Sequence, residues 1–358
     1  MLWWWFKSSQ SDLKFEDTVG APVKPTYVNE FDDCVRTDWH KSVREDSPAE
    51  IITSGLFDVG RSLDFKLALP SVSESWVSQL MKTSATVEHG GMWAPIESVI
   101  FLHILNLPAV IEASKVVVDV GVNVGYFSQL ALSLGYNVVG FEPLTRAQPY
   151  LVKTAQLNAN GGAWHLFHCA LGAERGKVSM SLTERWGLSQ VVNVKRPPPP
   201  SEDHSAHEDP GKALGSEIPM VLLSDIVLAG TPVALLKVDV EGFEANVLGG
   251  AQELLKGVRN VIVEIKSTDD RRALLKNMKE LGFHCRNYQE TYVVEEKGST
   301  IPDNAKVGVF LDTRTPDRES LTIKLNKFLF PCTEYGPEDF WFSKNGADFP
   351  AHGSFAPP

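Results

Sequence analysis

Acids and glycines stand where a folded chain would use them for chemistry. In "VVVDVGVNVG" the apolar run Val116, Val117, Val118 meets Asp119, and Gly121, Asn123 and Gly125 follow at alternate positions. The next stretch, "YFSQLALSL", carries Phe127, Leu130, Ala131 and Leu134 at helical spacing. A buried strand that turns through glycine into a helix leaves backbone N–H groups open at the helix start, and glycine lets a ligand come close to them. That is the turn of a nucleotide-like cofactor. Dinucleotide enzymes favour G-x-G-x-x-G, which cradles a pyrophosphate. Here Asn123 occupies the middle and no third glycine follows, which suits a cofactor without phosphate, such as S-adenosylmethionine (SAM). Asp119 is then expected near the cofactor's cationic amino-acid end. The competing reading is a plain strand-to-helix turn.

Glu142 closes the next apolar run, "VVGFEP". An acid at the end of a second strand can accept hydrogen bonds from both hydroxyls of a ribose. This serves a SAM enzyme and a Rossmann oxidoreductase alike. A third acid, Asp239, ends the run "LLKVDVEGFEANVLGG" and is followed by Glu241 and Glu244. In an open α/β sheet the ligand crevice lies beyond the carboxyl ends of the strands, so Asp239 and Asp119 should face one crevice. Glu244 reads as an acid that merely suits the positive end of a helix. Glu264, in "VIVEIK", belongs to the end of a neighbouring strand. Asp239 and Glu241 are candidates for a catalytic role. One of these acids can serve as general base for an acceptor hydroxyl. The alternatives are an Mg²⁺ ion held by oxygen ligands, and purely structural roles, with Glu241 capping its helix and Glu264 pairing with a lysine or arginine.

Such groups need a frame, and the periodicity supplies one. A helix is expected in "GGMWAPIESVIFLHILNLP", started by Pro95 and Glu97 and stopped by Asn106 to Pro108. Strands are expected at 116–120, 137–141, 164–171, 234–238, 260–265 and 283–288, and helices at 126–134, 147–158, 241–255 and 269–281. "DFWFSK" reads as a last strand and "GKVSMSLTE" as an antiparallel addition. Alternation of this kind argues a mostly parallel sheet with helices on both faces. Residues 1–91 read as an N-terminal extension with a few short elements, 92–345 as the main domain, and 346–358 as a tail. Residues 194–217 are rich in proline and charge and read as a disordered insert. Its His204 and His207 read as solvated side chains. Residues 296–335 read as irregular.

At 358 residues the chain suits one large domain with additions. Its 34 basic and 45 acidic residues give a net charge of -11, which makes nucleic acid a poor default partner. Cys34, Cys169, Cys285 and Cys332 show no CxxC spacing, so zinc and a thioredoxin-like motif are not expected. Reduced thiols in a cytoplasmic protein are the expectation. The opening "MLWWWFKSSQ" is too short to cross a bilayer. Its aromatic rings suit a membrane interface, although a disordered end or a truncated longer protein is preferred.

The glycine turn, "HCALG" and above all "LLKVDVEGFEANVLGGAQELL" resemble the FkbM family of class I SAM-dependent methyltransferases, over about residues 92–290. The resemblance implies a seven-stranded, mostly parallel sheet ending in an antiparallel hairpin, and O-methylation of a small molecule or sugar. It implies Asp119, Gly121, Asn123, Gly125 and Glu142 at the cofactor, Ala170 near the adenine and Asp239 near the methyl group. A Rossmann oxidoreductase and a non-catalytic SAM-binding module remain as alternatives.

Overall fold

The computed structural model describes residues 27–29, 33–37, 49–58, 61–71, 93–158, 162–180, 191–195, 217–288 and 329–350. The N-terminal aromatic run, His204, His207 and residues 196–216 of the expected insert lie outside the described residues.

In chain order the first strands are β1 (Val35–Arg36), β2 (Glu50–Asp58) and β3 (Arg61–Leu69). The helices α1 (Pro95–Leu105) and α2 (Pro108–Ala113) follow. Pro95 opens α1 as expected, while Pro108 opens a second short helix instead of only ending the first. Then come β4 (Val116–Val120), α3 (Tyr126–Ser133), β5 (Asn137–Phe141), α4 (Gln148–Leu157) and β6 (Trp164–His168). The run expected as one strand over 164–171 breaks at Cys169, and β7 (Ala170–Leu171) joins another sheet. That second sheet has the order β7-β10-β8-β9, built with β8 (Gly176–Met180), β9 (Val191–Lys195) and β10 (Ile218–Val221). It accounts for the antiparallel addition.

The chain continues with α5 (Leu223–Ile226), β11 (Val233–Val238), α6 (Glu244–Gly249), α7 (Gln252–Leu255), β12 (Val258–Glu264) and α8 (Thr268–Glu280). The helix expected over 241–255 is therefore two short helices, and the strand expected from 260 starts at Val258. Glu241 has φ 57 and Gly242 φ 104, so neither can start a helix. The last strands are β13 (His284–Tyr288), β14 (Leu329–Pro331) and β15 (Asp339–Ser343).

The central sheet has the order β1-β6-β5-β4-β11-β12-β15-β13-β14. Its middle, β6 to β12, is parallel, and β15 lies antiparallel between β12 and β13. The sheet thus has nine described strands where seven were expected. The two at the edges are β1 and β14, and each is fastened by a disulfide. Cys34, beside β1, pairs with Cys169 after β6, and Cys332, beside β14, pairs with Cys285 on β13. The Cα–Cα separations are 5.1 and 5.6 Å, within the bridging range. The expectation of reduced thiols is corrected: among the described residues no cysteine is free. Residues that are 135 and 47 positions apart in sequence announce no pairing through local spacing.

Both faces of the sheet are covered, which is why its strands are apolar throughout. Val117, Val138, Leu166 and Leu235 pack with Phe101 of α1, Leu130 of α3 and Leu151 of α4. Val118, Val139, Leu236 and Val238 pack with Val247, Leu254 and Met278 of α6, α7 and α8. Leu63, Phe65, Leu67 and Leu69 of β3 join the first of these cores. The β2–β3 hairpin is therefore packed on the domain, although the sequence assigns it to an extension. Likewise Gly346–Asp348 form a 3₁₀ turn and Phe349 stacks edge-on to Trp341 at 4.6 Å, so this start of the expected tail belongs to the core.

Trp341 of β15 is fully buried, and its Nε1 donates to Asn260 Oδ1 at 3.1 Å. Trp341→Ala is expected to cost about 3–5 kcal/mol through the cavity and the orphaned amide. Urea denaturation measures it, and a loss below about 1 kcal/mol would contradict this packing.

Candidate active site

A crevice of about 740 Å³, counting space open to solvent, lies beyond the carboxyl ends of β4, β5 and β11. Small-molecule sites span about 300–1,000 Å³. Gly121, Asn123, Glu142, Ala170, Asp239 and Glu241 all line it, as do Leu144, Ala147, Leu171, Met180, Val191 and Phe243. Six of the eight residues singled out from the sequence thus meet at one crevice. Asp119 and Gly125 are not among its lining residues.

Gly121 sits where nothing larger fits. Its φ is +87, and a Cβ there would stand 1.8 Å from the carbonyl oxygen of Asp239. The turn after β4 therefore passes directly against the turn after β11. Its amides are not open, as the sequence suggested. Gly121 N and Val122 N donate to Phe141 O at 3.0 and 3.1 Å, and Asn123 N donates to Glu142 Oε2 at 2.8 Å. Asn123 itself has φ 54, a strained region for a non-glycine residue that Asn tolerates best. Gly125 caps α3, and a Cβ there would stand 3.1 Å from both Leu151 and Trp164. Gly250 explains the "GG" of the third motif, since a Cβ there would meet Gly172 O at 1.9 Å.

Glu142 is 4% exposed, and its second oxygen accepts from Leu144 N at 2.9 Å. Burial pushes its carboxyl up to about 7; the Leu144 and Asn123 amides oppose this, Asp119 adds to it, and Arg146 opposes it. One carboxylate thus joins the glycine turn to the end of β5 and still presents acceptor oxygens at the crevice.

Asp239 is 39% exposed at the crevice, and Lys237 Nζ donates to its Oδ2 at 3.1 Å. Lys237 is 2% exposed, 3.8 Å from Glu97 Oε1 and 4.8 Å from the centre of the Phe127 ring. Burial pulls its ammonium pKa down, but Asp239, Glu97 and Asp119 outweigh that and hold it above the ordinary range. Asp119 stands behind the crevice wall, 1% exposed, with Oδ2 accepting from Ser128 Oγ at 2.6 Å. Burial raises its pKa, offset by Lys237 and Ser128. Sequence reasoning missed Lys237. The signal was there: a lysine between Leu236 and Val238 in a strand buried on both faces must carry its own counter-charge.

Glu241 is turned to Lys266, whose Nζ lies 3.0 Å from Oε2 and 3.5 Å from Glu264 Oε2. Burial, then Asp239, pushes Glu264 up to about 7 against the pull of Lys266. Glu264 thus follows the structural alternative of pairing with a lysine. Glu244 Oε1 accepts from Val240 N and Gly242 N, so it fastens the strained loop that carries Glu241. Among the described residues no group of three or more His, Cys, Asp or Glu is arranged to hold a metal. Asp239 and Glu241 each already face an ammonium, which disfavours a cation between them.

Two measurements follow. Lys237→Met leaves a cluster of acids without its cation. Stripping one partner from a buried pair costs about 3–5 kcal/mol, and the exposure of Asp239 places this variant near or below the lower end. Lys237→Arg should recover part of the loss in the same urea curves. For Glu142, the folded-state pKa of about 7 lies above the ordinary glutamate value of 4.5. Its contribution is fully present below about pH 4.5 and is lost as pH rises through about 7. Glu142→Gln is therefore expected to flatten the fall in stability between these values, by on the order of 3 kcal/mol at pH 8. Identical pH slopes for the variant and wild type would refute the burial of this charge.

Residues 119–285 match the model of the methyltransferase FkbM domain. A curated relative, the methyltransferase sdnD of Sordaria araneosa, is 29% identical in an alignment that covers 45% of this chain and 68% of that protein. The matched segment starts at Asp119, ends at Cys285 and holds every residue that lines the crevice. Over this segment, which is just under half of its length, the chain is similar to the methyltransferase FkbM domain.

Proposed function

We propose that the chain is a SAM-dependent O-methyltransferase acting on a hydroxyl of a small molecule or sugar. The observation that carries this reading is Glu142, a buried carboxylate at the crevice whose two oxygens each hold one backbone amide and keep capacity for the two hydroxyls of a ribose. Leu144, Ala147, Leu171, Met180 and Val191 supply an apolar wall beside Ala170 that suits a flat base. Gly121 and Asn123 line the crevice between these two ends. When bound, SAM supplies a methyl group on a sulfonium sulfur, open to in-line displacement by an oxygen nucleophile.

The chain's part is to orient that oxygen and take its proton. We assign the proton to the Asp239 carboxylate, which stands at the crevice with one oxygen fixed by Lys237. Glu241, neutralised by Lys266, shapes the acceptor side of the crevice. The oxidoreductase alternative loses ground to the methyltransferase domain. Among the described residues no helix is long and apolar enough to cross a membrane. Two disulfides persist in oxidising compartments, so we place the protein in one of these rather than in the cytoplasm.

Glu142→Ala is expected to weaken SAM binding about tenfold or more, because charge-assisted hydrogen bonds contribute roughly 1.5–3 kcal/mol each. Calorimetry with unchanged affinity would defeat the assignment. Labelled SAM incubated with fractionated metabolite extract identifies the acceptor. With that acceptor, Asp239→Asn should lose about 100-fold or more in turnover, while EDTA leaves the wild type unaffected. Full turnover by Asp239→Asn would remove it from the mechanism.

A further inference from the structure

The cofactor crevice is lined wholly by residues of the matched segment 119–285, yet one of its walls is held from outside that segment. Cys169 lines the crevice between β6 and Ala170, and its sulfur is bonded to Cys34. Cys34 stands beside β1, whose Val35 and Arg36 pair antiparallel with His168 and Phe167. The next residue, Thr37, continues the contact, with its N–H donating to Leu166 O at 2.8 Å. Its hydroxyl lies 2.6 Å from His168 Nε2. The other nitrogen of that ring, Nδ1, lies 3.2 Å from the backbone oxygen of Glu142. A carbonyl oxygen only accepts, so Nδ1 carries the proton and Nε2 accepts from Thr37. Burial lowers the His168 pKa, partly opposed by its bond to Glu142, in keeping with this neutral ring. Glu142 N in turn donates to Phe167 O at 3.0 Å.

We infer that residues 33–37 are a positioning strap of the cofactor site: through Cys34–Cys169 and Thr37–His168 they fix where Glu142 and the Ala170 wall stand. The inference rests on the reading of Glu142 as the ribose acid. Thr37 and Cys34 touch no cofactor; they act through His168 and Cys169. Glu142 needs such support because it is a buried acid that must meet two backbone amides and a ligand at once, and a shift at the end of β5 or β6 would misplace all of these contacts. The second disulfide, Cys285–Cys332, fastens the opposite edge of the sheet and does not line the crevice. It serves as an internal control for the effect of losing a crosslink as such.

The test compares Cys34→Ser, Thr37→Val, Thr37→Ser and the double variant Cys285→Ser/Cys332→Ser in the full chain. SAM affinity is read by calorimetry, and amide hydrogen exchange is read at Asn123 and Leu144, the two amides that Glu142 holds. Cys34→Ser and Thr37→Val should each weaken SAM binding by about fivefold or more, the scale of one lost hydrogen bond. They should also speed exchange at both amides. Thr37→Ser, which keeps the hydroxyl, should stay within about twofold of wild type, and so should the Cys285/Cys332 double variant even where its melting temperature falls. The strap is refuted if Cys34→Ser and Thr37→Val bind SAM like the wild type, or if the control double variant loses as much affinity as they do. Should Cys34→Ser fail to fold, Thr37→Val against Thr37→Ser decides alone. A wild type that binds no SAM overturns the cofactor reading instead. In that case unchanged exchange at Asn123 and Leu144 in Thr37→Val overturns the strap, and faster exchange upholds it.

Discussion

A lysine ammonium with almost no access to water stands in the middle of the central sheet, and much of the architecture answers its demand for counter-charge. Burying an unpaired cation costs several kcal/mol, so Lys237 must draw acids from wherever the fold can bring them. It draws Asp239 from the turn after its own strand and Glu97 from α1. Asp119 lies directly across in register on β4. A slip of β4 against β11 by one residue would turn Asp119 to the opposite face, where Leu236 and Val238 pack. Charge and hydrophobic burial therefore select the same register. The same pairing presents Asp239 at the crevice with one oxygen already committed, so the group we assign to the proton has its orientation set by the core.

The parallel middle of the sheet was legible because its signals are local. "VVVDV", "NVVGF" and "LLKV" are short apolar runs that stop at an acid, a glycine or a turn, and the helices between them have a clear apolar stripe. The crevice was legible for the same reason. In a sheet of this kind the residues after each strand converge, so Gly121, Glu142 and Asp239 could be gathered without coordinates, while Ala170 came only from the family resemblance. What local pattern cannot show is which groups spend their bonds on each other. The turn amides look open in the sequence but are taken by Phe141 and Glu142. Glu241 looks like a helix-start acid, but its left-handed backbone and its bond to Lys266 make it part of a loop.

The edges of the sheet were illegible for a different physical reason. β1 is two residues long, with Val35 at 63% exposure, and β14 is three. Neither has the length to show a period, and between them only Leu329 of β14 is buried in the core. Each is held by a covalent bond instead, and the bond joins residues too far apart in sequence for spacing to suggest it. The two missed strands and the two missed disulfides are thus one oversight. Short strands with little burial need crosslinks, and crosslinks are what allow such strands to shield the edges of the sheet from pairing with other chains.

The placement of β15 has a consequence for how the molecule comes into being. It lies between β12 and β13, which precede it in the chain by dozens of residues. Until it arrives from the ribosome, both of its neighbours present unpaired backbone to solvent, and the apolar pocket for Trp341, Phe340 and Phe342 stands open. The crevice residues are all synthesised by then, yet the sheet that carries them is still split in two. Such a chain carries sticky, unfinished edges throughout its elongation, the state in which nascent proteins aggregate or recruit chaperones. Among the described strands, the one that joins the two parts of the sheet is thus the last to be made: a keystone delivered after the arch.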